Sequence, residues 1–168
     1  MKKESIKLEN RAQLDISFGF IFGIIVIIAV VAISIYVIVH FINLSNCTQT
    51  GNFYSDLQDE IDKAWSGSMT SKVFTESLPS GVKSICFGTL DKTPTSDSRT
   101  QYQSLLRFKA LDKNSFIYPY SKACNVQLAN HQFEHVNIDR FFCSDVIKGK
   151  ASVKISKNVT DALVTLSR

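Results

Sequence analysis

From Ile16 to Ile42 the chain reads ISFGFIFGIIVIIAVVAISIYVIVHFI, with no Asp, Glu, Lys or Arg. At about 1.5 Å per residue a helix over this stretch extends about 40 Å, against a hydrocarbon core of about 30 Å, so it is long enough to cross a bilayer once. A cleavable secretory signal has an apolar region of only about 7–15 residues followed by an A-x-A type site, and no such site follows here. A core helix of a globular domain keeps a polar stripe. Here only Ser17, Gly19, Gly23, Ser34 and His40 interrupt the apolar run, which continues all the way round the helix. Gly19, Gly23, Ala29 and Ala32 are small residues of the kind that let membrane helices approach closely, and His40, beside Tyr36 and Phe41, reads as an interfacial residue. The stretch predicts one transmembrane helix over 16–42, with the lipid bilayer as its first partner.

The flanks set the orientation. Lys2, Lys3, Lys7 and Arg11 precede the span, whereas residues 43–55 contain no basic residue. The positive-inside rule places the N-terminus in the cytoplasm and the C-terminal domain outside, so a single-pass protein of the cell membrane is expected. The chain then divides into a cytoplasmic or signal segment (1–15), the transmembrane helix (16–42), a linker (43–51) and an extracytoplasmic domain (52–168). The net charge of +4 is small and spread out, which argues against nucleic acid as a partner.

Residues 43–51, NLSNCTQTG, are rich in turn formers and read as a break in the helix. From Asn52 to Trp65 the period becomes helical. Phe53, Leu57, Ile61, Ala64 and Trp65 share one face, Asp56, Asp59, Glu60 and Asp62 the other, with Lys63 in the last turn and Gly67 as the expected C-cap. Short β-branched and aromatic runs follow at 72–75 and 82–87, separated by the turn signal Leu78-Pro-Ser-Gly81. Residues 92–98 form a polar loop. Tyr102, Leu105 and Leu106 fit a helix face, while Leu106, Phe108 and Ala110 alternating with Arg107 and Lys109 fit a strand, and a helix entering a turn is the reading preferred. Phe116-Ile-Tyr-Pro119 reads as an edge strand because of its Pro. Runs at 141–147 and 150–156 flank Lys148-Gly149 and predict a tight hairpin with Ala151, Val153 and Ile155 inward, and 162–166 adds a last strand. The fold class expected is α+β: an N-terminal transmembrane helix, then a small disulfide-stapled domain with an amphipathic helix packed on a mostly antiparallel sheet.

Arg11-Ala12-Gln13, just before the apolar helix, resembles the class III signal peptide of archaeal type IV pilin-like proteins. The resemblance covers roughly residues 7–42. It implies that Arg11 and Ala12 precede a cut made by a prepilin-type peptidase, that Gln13 becomes the mature N-terminus, and that Phe18 takes the family's aromatic position. Ser17 stands where many pilins have a Glu that pairs with a neighbouring subunit's amine, and Asp15 lies nearby. The alternative is an uncleaved signal anchor. The stretch from Asn46 to Trp65, with NC-x-Q-x-G-x-F followed by DLQ-x-x-ID-x-AW, is similar to a group of small archaeal single-pass membrane proteins, a resemblance that carries no activity with it.

Cys47, Cys86, Cys124 and Cys143 all follow the span, and an even count on the oxidising side argues for two disulfides. Three pairings are open. The expectation is Cys47–Cys86, tying the membrane-proximal break to the sheet, and Cys124–Cys143, closing a local loop. A competing use is zinc held by Cys124, His131, His135 and Cys143 in C-x6-H-x3-H-x7-C spacing, which matches no standard finger and leaves Cys47 and Cys86 unexplained. Otherwise the two histidines are half-exposed loop or strand residues, paired with Glu134 or Asp139. Asn43, Asn46 and Asn158 begin N-glycosylation sequons, which become usable once the domain is placed outside.

No C-x-x-C, G-x-S-x-G, phosphate-binding Gly loop or H-E-x-x-H occurs, so no catalytic residue and no cofactor is expected, and a zinc ectoenzyme is the remaining catalytic alternative. The leading expectation is a surface-displayed structural or adhesive protein that meets other copies of itself or cell-envelope proteins. The second is an uncleaved single-pass binding or accessory subunit. Lys148, Lys150, Lys154 and Lys157 would be its basic face for an anionic polymer, or simply a solvated strand face.

Overall fold

The computed structural model describes residues 18–168, and the processing tripeptide Arg11-Ala12-Gln13, with Asp15 and Ser17, lies outside them. The chain divides into two compact units, Met1–His40 and Phe41–Arg168. Helix α1 (Phe18–Ser66) begins in the first and continues into the second. In the first unit its apolar side chains are exposed all round, Tyr36 and Ile27 by 71% and 64%, and the helix is long and apolar enough to cross a membrane. Ser34 directs its hydroxyl to Val30 O at 2.7 Å, so its polar group is satisfied within the helix.

The second unit is α+β and mostly antiparallel. Strands β1 (Thr70–Ser77), β2 (Ser84–Phe87), β3 (Ser115–Tyr118), β4 (Asn130–His131), β5 (Val136–Asn137), β6 (Phe142–Asp145), β7 (Lys150–Lys157) and β8 (Val164–Ser167) form two four-stranded sheets, ordered β1-β7-β8-β5 and β4-β3-β2-β6. Among the described strand pairs only the short β5–β8 pair is parallel. Helix α2 (Arg99–Leu105) runs into a 3-10 segment at Leu106–Leu111, as the Tyr102/Leu105/Leu106 spacing predicts.

The stripe from α1, Phe53, Leu57, Ile61 and Ala64, is buried against both sheets. It meets Phe74 of β1, Ala151, Val153 and Ile155 of β7, Val164 and Leu166 of β8, and Ile85, Phe87, Ile117 and Phe142 of the second sheet. The first sheet covers one face only, so β7 alternates buried and exposed along its length, with Lys150, Ser152 and Lys154 in solvent. The second sheet is covered on both faces. Its far side carries Cys86, Phe116 and Cys143, which pack with Leu105 of α2, Leu90 and Phe141, and β2 is therefore buried at every position.

Several expectations are overturned. Residues 43–51 are helix, not linker. Their hydroxyls are absorbed by the helix itself, Thr48 Oγ1 bonding Leu44 O at 3.1 Å and the buried Thr50 Oγ1 bonding Asn46 O at 3.0 Å, so poor helix formers do not break it. The disulfides are Cys47–Cys124 and Cys86–Cys143, not Cys47–Cys86 and Cys124–Cys143. Cys86 and Cys143 stand directly opposite each other on adjacent strands, with Cα atoms 3.9 Å apart. The Lys148-Gly149 turn forms with both residues at positive φ, and Ile147 and Lys150 exchange two backbone hydrogen bonds. The hairpin stops there, because β6 pairs with β2 while β7 pairs with β1 and β8. Finally, β3 is not an edge strand. It lies between β2 and β4, and Pro119 falls after its end, where no ladder hydrogen bond is required.

Candidate recognition surface

The outward face of α1 in the second unit carries Asp56, Asp59, Asp62 and Lys63, away from its buried stripe, whereas Glu60, expected with them, flanks the stripe and its side chain is only 20% exposed. The period that buries Leu57 and Ile61 turns Asp56 and Asp59 to solvent. At the last turn stands Trp65. The sequence pattern places it on the buried face, yet it is 42% exposed. It lies at the flank of the stripe, and its ring stacks on His135 with centroids 3.7 Å apart and planes 2° from parallel. The indole N–H donates to Ala162 O at 3.2 Å. One indole face is thus covered by the imidazole and its N–H is satisfied.

His135 is held from three sides. Its Nδ1 lies 3.1 Å from Asp62 Oδ1, which also accepts Gln58 Nε2 at 2.8 Å, and Gln58 Oε1 in turn accepts the Glu134 N–H at 3.0 Å. The His135 carbonyl accepts the Val164 N–H at 2.9 Å. His135 stands at φ +60°, the left-handed region that His, like Asn and Asp, enters more often than other non-Gly residues. The expected partners Glu134 and Asp139 are replaced by Asp62, seventy-three positions away in sequence and invisible to local spacing. The helical period alone marks Asp62 as one turn before Trp65, but nothing in the sequence brings His135 to them. Asp59, Asp62, Lys63, Trp65, Ser66 and His135 line a cleft of about 530 Å³. The cleft thus presents the indole, the imidazole of His135 with Asp62 on its Nδ1, and the carboxylate of Asp59.

The other sequence candidates are dispersed. Cys124 and Cys143 are each oxidised to a different partner, so neither is a thiolate beside a histidine. His131 stacks on Tyr54 at 4.4 Å, and among the described residues no group of three or more His, Cys, Asp or Glu is gathered to hold a metal. Burial holds the His131 imidazole below its ordinary pKa, and Lys113 pushes the same way. Burial raises the Tyr54 phenol far above its ordinary range, and its hydroxyl donates to Leu128 O at 3.0 Å. Asn43 is exposed and Asn46 half-buried, both on α1, and Asn158 is exposed with its side-chain amide on Asp161. The basic set is not a uniform face. Lys148, Lys150 and Lys154 are exposed, whereas Lys157 donates to the carbonyls of Trp65 and Gly67 and closes the C-terminus of α1. Gly67 ends the helix as expected, its N–H on Lys63 O.

No family model matches this chain, and neither does any curated protein or solved structure.

Proposed function

We propose that the chain is a membrane-anchored subunit whose disulfide-stapled head is displayed outside the cell, in a structural or adhesive role like that of a type IV pilin-like subunit. One observation carries this reading. The four cysteines all lie in one unit and pair completely, and the other unit contributes an apolar helix with no buried face. Disulfides persist in oxidising compartments, and an apolar helix exposed all round is stable in lipid. The basic flank Lys2, Lys3, Lys7 and Arg11 supports a cytoplasmic N-terminus.

In this role the helix holds the subunit and the surface of the head meets envelope components or further copies. The sequence of the mature N-terminus tests it. Gln13 at the start supports processing by a prepilin-type peptidase. Met1 at the start supports the second reading, an uncleaved single-pass subunit whose head recognises a partner, which the indole platform and the carboxylate face of α1 favour independently. Labelling intact cells with a membrane-impermeant amine reagent tests the side: Lys148 and Lys154 react if the head is outside and stay unmodified if it is not.

A further inference from the structure

We propose that the groove between α1 and the open edge of β1 binds an extended, basic segment of a partner protein, which adds to the sheet as a further strand. β1 ends the order β1-β7-β8-β5, and its outer edge has no strand neighbour among the described residues. It is eight residues long, twice the length of most strands here, and so presents a long row of unpaired backbone donors and acceptors. A groove of about 370 Å³ runs beside it, lined by Asp56, Asp59, Glu60 and Lys63 of α1 and by residues 72–76 of β1. Lys72, Phe74 and Glu76 point to one face of the sheet and Val73 and Thr75 to the other. A cavity that touches both sets lies along the strand's edge, with α1 as its second wall. This is the geometry in which a peptide pairs with a strand and is flanked by a helix.

The charges choose the occupant. Natural edges are often protected by a free Lys, but Lys72 is engaged by Glu60, which also takes Lys63 at 2.9 Å. Four carboxylates (Asp56, Asp59, Glu60 and Glu76) face two ammonium groups (Lys63 and Lys72) in the groove, so it keeps a net negative charge of two. Asp56 and Asp59 have no partner among the described residues, and Glu76 accepts only the Ser77 N–H. A segment laid antiparallel along residues 72–76 would direct alternate side chains toward α1, where Lys or Arg would meet Asp56 and Asp59. Its intervening side chains would lie beside the exposed Val73 and Thr75, which suits Val or Thr. The partner class is therefore a segment of about five to seven residues, basic at alternate positions and β-branched between. It deepens the recognition role proposed above, and the two fail separately, since a purified chain binds or ignores such a segment whichever side of the membrane its head occupies.

The experiment uses the full chain in neutral detergent and a fluorescein-labelled heptapeptide alternating Lys with Val or Thr. Saturable anisotropy is expected, falling with salt, together with slowed hydrogen exchange of the amides at 70–77. Asp56→Asn with Asp59→Asn, both exposed and structurally neutral, should weaken binding by about tenfold or more at low salt. Absence of saturable binding overturns the proposal. So does equal binding of an equally charged peptide with Pro at alternate positions, which has the charge but cannot pair as a strand. The occupant assigned here is also wrong if β1 is already protected without peptide: loss of that protection on dilution of a dimer would give the edge to a second copy, and loss on deleting residues 1–17 would give it to the chain's own N-terminal segment.

Discussion

Gly88 sits at φ +115°, and a Cβ there would lie 2.9 Å from the Phe141 Cα, in backbone that cannot yield cheaply. Its N–H donates to Asn114 O at 2.8 Å, so the residue joins the end of β2 to the segment before β3. Gly88→Ala is expected to cost about 2–4 kcal/mol, seen as a lower urea midpoint with unchanged slope for the detergent-solubilised chain. Gly149, at φ +77° with open space around it, separates the two causes. Gly149→Ala meets only the backbone penalty and should cost about 1 kcal/mol. Similar losses at both positions would mean that the Phe141 contact is unimportant. His131 gives a pH dependence whose sign follows from its depressed pKa. As pH falls below about 6.5 the unfolded chain takes up a proton that the folded one, with His131 half-buried against Tyr54 and beside Lys113, accepts only at lower pH. The stability present above that pH is lost as pH falls through the folded-state value. Unfolding midpoints measured between about pH 7.5 and pH 5 should decline, and His131→Phe should remove that part of the slope. An unchanged slope in the variant would assign the decline to other groups.

At the scale of elements, what was legible in the sequence was periodicity. The 3.6-residue spacing of Phe53, Leu57, Ile61 and Ala64 and the alternation along β7 report which face is dry, and both survive folding because burial is what they encode. Pairing was not legible. Lys148-Gly149 names the turn correctly, yet turn residues fix only the first opposing pair, and the destination of β6 is decided by both-face burial beside β2. The cysteine pairs were missed for the same reason. Proximity in sequence favours Cys124–Cys143, whereas strand register brings Cys86 to Cys143 and helix continuity through 43–51 carries Cys47 to Cys124. Of the recognition surface, the acidic face of α1 was readable, but Trp65 against His135 was not, since they meet only after folding. Non-reducing peptide maps should show 47 joined to 124 and 86 to 143. The separations, 77 and 57 residues, imply nearly equal loop entropies of about 4 kcal/mol. Burial breaks the tie: Cys86 and Cys143 are 0% and 3% exposed, and removing them leaves a cavity in addition to opening the loop. The Cys86→Ala/Cys143→Ala pair should therefore be about 1–2 kcal/mol more destabilising than Cys47→Ala/Cys124→Ala, read by thermal unfolding of each double variant. Equal losses would show that the second core packs no more tightly than the half-buried Cys47–Cys124 link.

For the whole molecule the governing balance is between a head that buries its apolar side chains and a helix that leaves them uncovered. Each Ile, Val, Leu or Phe near the middle of such a helix favours the bilayer by about 0.3–0.6 kcal/mol, while each Lys there opposes it by about 2.5–3.5 kcal/mol. Ile28 and Val31 are exposed near the middle of the apolar stretch, and replacing both by Lys shifts insertion by about 6–8 kcal/mol against the membrane. The wild-type chain is expected to remain in the membrane pellet through alkaline carbonate extraction, and Ile28→Lys/Val31→Lys to leave it. Val159→Lys is the control, since Val159 is 73% exposed in the head and contributes nothing to insertion, so that variant should pellet like the wild type. Extraction of the wild-type chain by carbonate would mean that something other than lipid covers the helix, most simply other copies of the same apolar surface, and a detergent-free assembly of defined size would then be found in the supernatant. Retention of the double-Lys variant would mean that the head itself holds the chain at the membrane, and insertion would no longer be needed to explain where the protein resides.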